Sequence, residues 1–181
     1  MSERVRLPVH EHVGFVLVRP HYPENVGASA RAIKTMGFDR LVLVRPSRLA
    51  VPAHPMAFKM SVRAWDVLEA SEQHDDVASA VAASSLVIAT SSHRGISGVL
   101  TPRDAAPLVV QAASEGRATR ILFGNEKTGL SSEDMERATH FLRIPMAGDQ
   151  PSVNLAQAVQ VVAYELFVTA LALRAAAKGR A

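Results

Sequence analysis

No cysteine occurs among the 181 residues, so the chain has neither a disulfide framework nor a thiolate metal site. Aromatic residues make up only 5%, with one tryptophan, and charged residues 20%. The 48% of hydrophobic residues is enough to build a core, which excludes a largely disordered chain, and the length suits one domain. Several familiar signatures are also missing. There is no G-x-G-x-x-G, and the nearest approach to a phosphate loop, Gly124-Asn125-Glu126-Lys127-Thr128-Gly129, is followed by Leu130 where that loop requires lysine. No G-x-S-x-G elbow occurs, and His10 and His12 lack the H-E-x-x-H spacing, so serine hydrolase and zinc protease chemistry both recede. Residues 1–12 carry Glu3, Arg4, Arg6 and Glu11 without an apolar run. We expect them to form a flexible basic leader rather than a signal peptide, and we expect a cytoplasmic protein. The longest apolar stretch, residues 161–177, is interrupted by Glu165 and Arg174 and reads as a poor membrane span.

Charge is unevenly placed. The net charge is +3, yet residues 1–63 carry ten Lys/Arg against four Asp/Glu, and the remainder is acidic on balance. A positive footprint confined to one part of the chain is what a polyanion-binding surface needs, although a solubilising surface has the same composition. Short apolar runs at 13–18, 41–44, 86–89 and 121–123 read as strands buried on both faces, with 139–144 as one more. Helical patterns lie between them at 26–36, 56–68, 77–83 and 105–114, and a final helix spans 152–176. The alternation predicts an α/β fold in which a mainly parallel sheet carries helices on both faces, with a ligand site at the carboxyl ends of the strands. The core unit is expected over residues 13–177. The last helix carries an apolar stripe, Leu155, Val159, Val162, Leu166, Ala170 and Leu173, widened by Ala158, Val161, Val168 and Ala172. That exceeds what one sheet face requires and points to a contact between subunits.

Three segments at predicted strand ends remain to carry chemistry. In Pro23-Glu24-Asn25-Val26-Gly27-Ala28-Ser29-Ala30-Arg31, Asn25 is placed to cap a helix and Arg31 lies about two turns further on. The second is Phe123-Gly124-Asn125-Glu126-Lys127-Thr128-Gly129-Leu130, and the third is Ile144-Pro145-Met146 followed, after a loop, by Ser152-Val153-Asn154-Leu155. Ser152 and Asn154 stand at a predicted helix start, where capping and contact with an RNA phosphate are both open to them.

Together, in this order and at these spacings, the three segments resemble the signature motifs of the SpoU/TrmH branch of the SPOUT RNA methyltransferases. The likeness runs over residues 13–168, and the first segment is most similar to TrmJ-type tRNA ribose methyltransferases acting on nucleotide 32. The resemblance implies methyl transfer from S-adenosylmethionine to a ribose 2′-hydroxyl without a metal, a homodimer and a deep C-terminal trefoil knot, a departure from the rule that chains do not thread their own loops. It assigns cofactor binding to Thr90, Ser91, Gly124, Asn125, Glu126, Gly129, Ile144, Pro145, Met146 and Leu155, and catalysis to Arg31 with Asn25, Ser152 and Asn154. A guanidinium is a poor base, so Arg31 either abstracts the ribose proton with strong help or orients the nucleophile and binds the adjacent phosphate. Glu126 either binds a ribose hydroxyl or braces its loop. Candidate RNA contacts are Arg31, Lys34, Arg45, Arg48, Lys59, Arg63 and Arg94. Two features depart from the pattern: Val153 replaces the more usual leucine, and the chain ends at Ala181 without the helical extension usual in TrmJ-type enzymes. A ribosomal RNA methyltransferase and a non-catalytic RNA-binding protein of the same fold are the alternative readings.

Overall fold

A computed structural model of the protein describes residues 5–93, 95–148 and 152–179. In chain order these form α1 (Pro8–His12), β1 (Val13–Val18), α2 (Pro23–Thr35), β2 (Leu41–Val44), α3 (Pro55–Ser61), α4 (Trp65–Glu69), β3 (Glu72–His74) and α5 (Val77–Val81). There follow β4 (Leu86–Thr90), α6 (Pro102–Ser114), β5 (Thr119–Phe123), α7 (Ser132–Glu136), β6 (His140–Leu142) and α8 (Leu155–Lys178). The described strands make one sheet in the order β3-β2-β1-β5-β4-β6, with every pair parallel. Strand order reverses between β1 and β5, where Val16 pairs with Leu122. A ligand crevice is expected at such a switch point.

β1, β2 and β5 are buried along their whole length, β1 and β2 as their unbroken apolar sequences require in a sheet covered on both sides, and β5 with Thr119 and Arg120 buried beside Ile121, Leu122 and Phe123. One face is thick. Phe15, Leu17, Leu43, Ile88, Ile121 and Phe123 pack there against apolar residues of α2, α6 and α8. On the thin face Val16, Val18, Val42, Val87, Ala89 and Leu122 meet α5 and partly buried Leu130, Ala138 and Phe141.

Several local expectations change. Residues 8–12 form a helix, with Leu7, Val9 and His10 buried, so this part of the expected loose leader is docked. Its anchor is aromatic: the His10 ring packs edge-on against Phe38 and stacks on Phe167. The helix expected over 56–68 is two, α3 and α4, because Val62 and Arg63 adopt positive φ of 26° and 58° and break the ladder between them. Asn25 does not cap α2. The N-cap is Tyr22, since Pro23, with its fixed φ and no N–H, starts the helix three residues earlier than expected. By length and composition α8 would suffice to cross a membrane. It instead buries Leu155, Val159, Val162, Ala163, Leu166 and Ala170 against the core, leaving Val161, Tyr164 and Leu173 exposed.

Candidate active site

The site is assembled by Asn25. Its side chain is buried in the first turn of α2, and its Nδ2 donates to Glu126 Oε1 at 2.8 Å while its Oδ1 accepts from Asn154 Nδ2 at 3.0 Å. One amide thus joins all three sequence segments, the second and third of which lie more than one hundred residues beyond the first. Glu126 is held by protein donors at both of its oxygens. Oε2 accepts from the His21 N–H at 2.8 Å, and Oε1 accepts from the Tyr22 N–H at 3.2 Å in addition to Asn25. Tyr22 offers no side-chain cap of its own, so the carboxylate from the β5 loop caps the lead-in to α2, where negative charge is favoured by the helix dipole. Both oxygens are engaged in bracing the loop.

Asn154 is the N-cap of α8 and accepts from the Ala156 and Gln157 N–H groups at 3.0 and 3.3 Å. It therefore ties the helix start to Asn25 with the other end of the same side chain. Ser152 is exposed and takes no part in this network.

The loop after β5 is folded by Asn125. Its Oδ1 accepts from the Lys127 and Thr128 N–H groups at 2.8 and 3.2 Å, its Nδ2 donates to the Arg19 carbonyl at 2.6 Å, and its backbone pairs with Gly129. Gly124 lies where strands of this turn cross: a Cβ there would stand 2.4 Å from the backbone of Gly129 and Leu130, far inside any contact distance. Gly129 has a φ of 70°, and the space its missing side chain would fill is open. Thr90 donates its hydroxyl to the Leu122 carbonyl at 2.9 Å, and the Ser91 N–H donates to the Leu142 carbonyl at 2.9 Å, locking β4 to its two neighbours at their carboxyl ends. Beyond β6, Ile144 is half-buried against the core, Pro145 is exposed, and Met146 is 39% exposed. Leu155 is core rather than surface.

Arg31 behaves differently from the rest. It is exposed on α2, six residues beyond Asn25 and roughly 120° around the helix, and its side chain has no partner among the described residues. One turn on, Lys34 donates to the Arg63 carbonyl at 2.8 Å and pairs with Asp66, so its charge is already committed within the fold. Arg45, Arg48, Lys59 and Arg63 are exposed. Arg94 lies outside the described residues.

Sequence reasoning missed one pair. Arg19, at the end of β1 with a φ of 51°, makes a two-pronged ion pair with Asp134 of α7 while its carbonyl holds Asn125. Burial alone would raise the Asp134 pKa. The bonds from Arg19, the Ser131 hydroxyl and the Ser131 N–H outweigh that and hold it below the ordinary carboxylate value. No local pattern signals Arg19, although Ser131 with Asp134 three residues later is a capping-box signature that would have revealed α7.

These features define an α/β protein with a polar and apolar cradle at the carboxyl ends of adjoining parallel strands, beside an unpaired arginine. Residues 12–164 match the model of the SpoU rRNA Methylase family, and the chain belongs to that family. It is 37% identical over 164 residues to the tRNA (cytidine/uridine-2′-O-)-methyltransferase TrmJ of Photorhabdus laumondii, an alignment covering 90% of this chain and 66% of that one. It is 34% identical to the tRNA (cytidine/uridine/adenosine-2′-O-)-methyltransferase TrmJ of Pseudomonas aeruginosa, covering 90% and 63%. The chain thus spans just under two thirds of the length of these relatives. A solved structure described as a probable methyltransferase from Bordetella pertussis superposes with a TM-score of 0.84 at 35% identity, covering 88% of this chain and 96% of the other.

Proposed function

We propose that the protein transfers a methyl group from S-adenosylmethionine to a ribose 2′-hydroxyl of RNA, with tRNA as the substrate class. The observation that carries this reading is the single amide, Asn25, that holds the three family segments together. It turns a likeness of motifs into one built site.

The cradle fits the cofactor. Ile144, Pro145 and Met146 offer apolar surface to an adenine, the open side of Gly129 allows backbone to approach a nucleoside closely, and Thr90 and Ser91 border the same strand ends. When bound, S-adenosylmethionine supplies an electrophilic methyl group on a sulfonium. The residues of this chain do the positioning. Asn25, Glu126 and Asn154 fix the angle between the β5 loop and the starts of α2 and α8, which keeps reacting groups within attack distance. Arg31 meets the ribose hydroxyl or its neighbouring phosphate, holding the nucleophilic oxygen and offsetting its developing negative charge. Ser152, exposed beside the α8 cap, is placed to meet a phosphate of the same nucleotide.

The remaining expectations belong to this proposal. Leu100 lies beside β6, where its N–H donates to the Phe141 carbonyl and the Arg143 N–H donates to the Leu100 carbonyl, an arrangement that supports the trefoil knot implied by the family. The exposed apolar side of α8, Val161, Tyr164 and Leu173, supports a homodimer. Residues 13–177 act as the methyltransferase unit, working on the tRNA of the cytoplasm, with Arg31, Arg45, Arg48, Lys59, Arg63 and Arg94 as phosphate contacts.

The test is transfer of radiolabelled methyl from S-adenosylmethionine to unmodified tRNA and to ribosomal RNA, followed by nuclease mapping, with R31A beside the wild type. Label recovered as a 2′-O-methyl nucleoside from tRNA and lost in R31A is the expected result. Label in ribosomal RNA alone moves the substrate class. No transfer to either pool, with RNA still bound, identifies a binding protein.

A further inference from the structure

The elbow between α3 and α4 sets exposed large apolar side chains among exposed cations. Phe58 is 57% exposed, Trp65 51% and Val62 49%, an unusual cost in water for side chains of this size grouped within eight residues. The cations between them are Lys59 and Arg63. Over residues 40–65 the sequence holds five Lys/Arg and no Asp/Glu. Arg48, Lys59 and Arg63 meet no carboxylate among the described residues. The elbow is also strained: Val62 is β-branched yet sits at a φ of 26°, and Arg63 at 58°. Such conformations are costly and are held only where the surrounding structure enforces them. Here the α2 surface does so, because Lys34 grips the Arg63 carbonyl. Lys34 is one helical turn from Arg31, so the elbow and the unpaired arginine share one continuous surface of α2 and its neighbours.

We propose that this elbow is a stacking platform for unpaired bases of the RNA substrate, with Trp65 and Phe58 presenting π-faces and Lys59 and Arg63 neutralising the phosphates between those bases. The inference rests on the RNA methyltransferase reading and adds to it that the enzyme selects single-stranded loop nucleotides over duplex. Aromatic faces interleaved with cations are suited to that task, since every splayed base offers a face and every linkage a negative charge. A second copy of the chain fits poorly. In a two-fold contact the patch would oppose itself, bringing the cations of Lys59 and Arg63 against their own duplicates. The outward side of α8 carries no such charge over Val161–Leu173 apart from Glu165, already paired with Arg103.

Trp65 is the only tryptophan, so its emission reports on the platform directly. The experiment titrates the full chain with a stem-loop RNA and with a blunt duplex of the same length, following tryptophan fluorescence and filter retention together, and measures methyl transfer by W65A, W65F and F58A. Quenching by the stem-loop but not by the duplex is expected. W65A should raise the KM for RNA about tenfold and leave the KM for S-adenosylmethionine unchanged, with W65F restoring most of the loss. Retention and methylation of RNA with unchanged Trp65 emission and a wild-type KM in W65A overturn the platform while leaving the activity standing. Conversion of a dimer to monomer by W65A or F58A, seen by sedimentation, assigns the patch to subunit contact and also overturns it. A chain that neither retains nor methylates RNA overturns the proposed function itself.

Discussion

Residues of two opposite kinds stand along α2. Asn25 and Gly27 are buried and committed: Asn25 bonds to Glu126 and Asn154, and Gly27 lies so close to α3 that a Cβ would stand 2.0 Å from the Ala57 carbonyl oxygen. Arg31, one turn beyond Gly27, is exposed and free of partners among the described residues. All three belong to one short sequence motif. The contrast teaches that such a motif is composite: two of its members build the site and only one is left to act on something else. Mutational loss at any of the three would look alike in an activity assay, whereas stability separates them.

The largest expected effect tests the exposed arginine. R31A should lower kcat by about a thousandfold, the range for removing a proton-handling or charge-stabilising group, while leaving Tm within about 2 °C of the wild type. Thermal melts and initial rates on tRNA check both halves, and a large fall in Tm would break the division. The buried members of the motif should respond in the reverse sense. G27V forces backbone apart between α2 and α3 and should cost about 3 kcal/mol, read as an earlier urea midpoint, before any effect on the chemistry of surviving protein. Next comes E126A, which leaves the His21 and Tyr22 N–H groups and the Asn25 amide without their acceptor. A loss of about 2 kcal/mol is expected, with E126Q recovering part, since one amide oxygen still accepts. A rise in the KM for S-adenosylmethionine larger than the rise for RNA would show that the loop, rather than the helix, feels the loss first.

The smallest effect concerns pH and lies far from the motif. Burial lowers the His10 pKa, only partly offset by the Met36 backbone. The folded state therefore resists protonation that the unfolded chain accepts at its ordinary value of about 6.5. Stability should be at full strength above that value and decline as pH falls through it towards the lower folded pKa, and H10F should flatten the decline in urea melts at pH 7.5 and 5.5. Asp134 has the depressed carboxylate pKa of the other sense, so its contribution persists there and is lost only in stronger acid.

What the sequence disclosed follows physical lines. Strands β1 and β2 were legible to the residue because short, continuous, valine-rich apolar runs have one outlet, a sheet buried on both sides. β3 was not, since Glu-Gln-His at the sheet edge carries no apolar pattern at all. The α3–α4 break was hidden because valine and arginine, rather than glycine, take the positive φ. At the site, the segments were legible as a set, but the roles within them depended on tertiary bonds. Asn25 looked like a cap, yet the cap is a carboxylate delivered from the β5 loop; Arg19 and Asp134 have no sequence relation to reveal their pairing.

The sheet order has a consequence for the order in which the protein is made. β5 occupies the seat between β1 and β4 but leaves the ribosome after both. Until residues 119–123 emerge, β1 and β4 each present an open apolar edge with nothing to pair, the state in which chains most readily join one another. The central strand acts as a keystone fitted late, and its loop brings Glu126 with it. This short stretch joins the two halves of the sheet and brings the first of the distant anchors to Asn25, while β6 and then Asn154, which leave the ribosome later, complete the sheet and the site in turn.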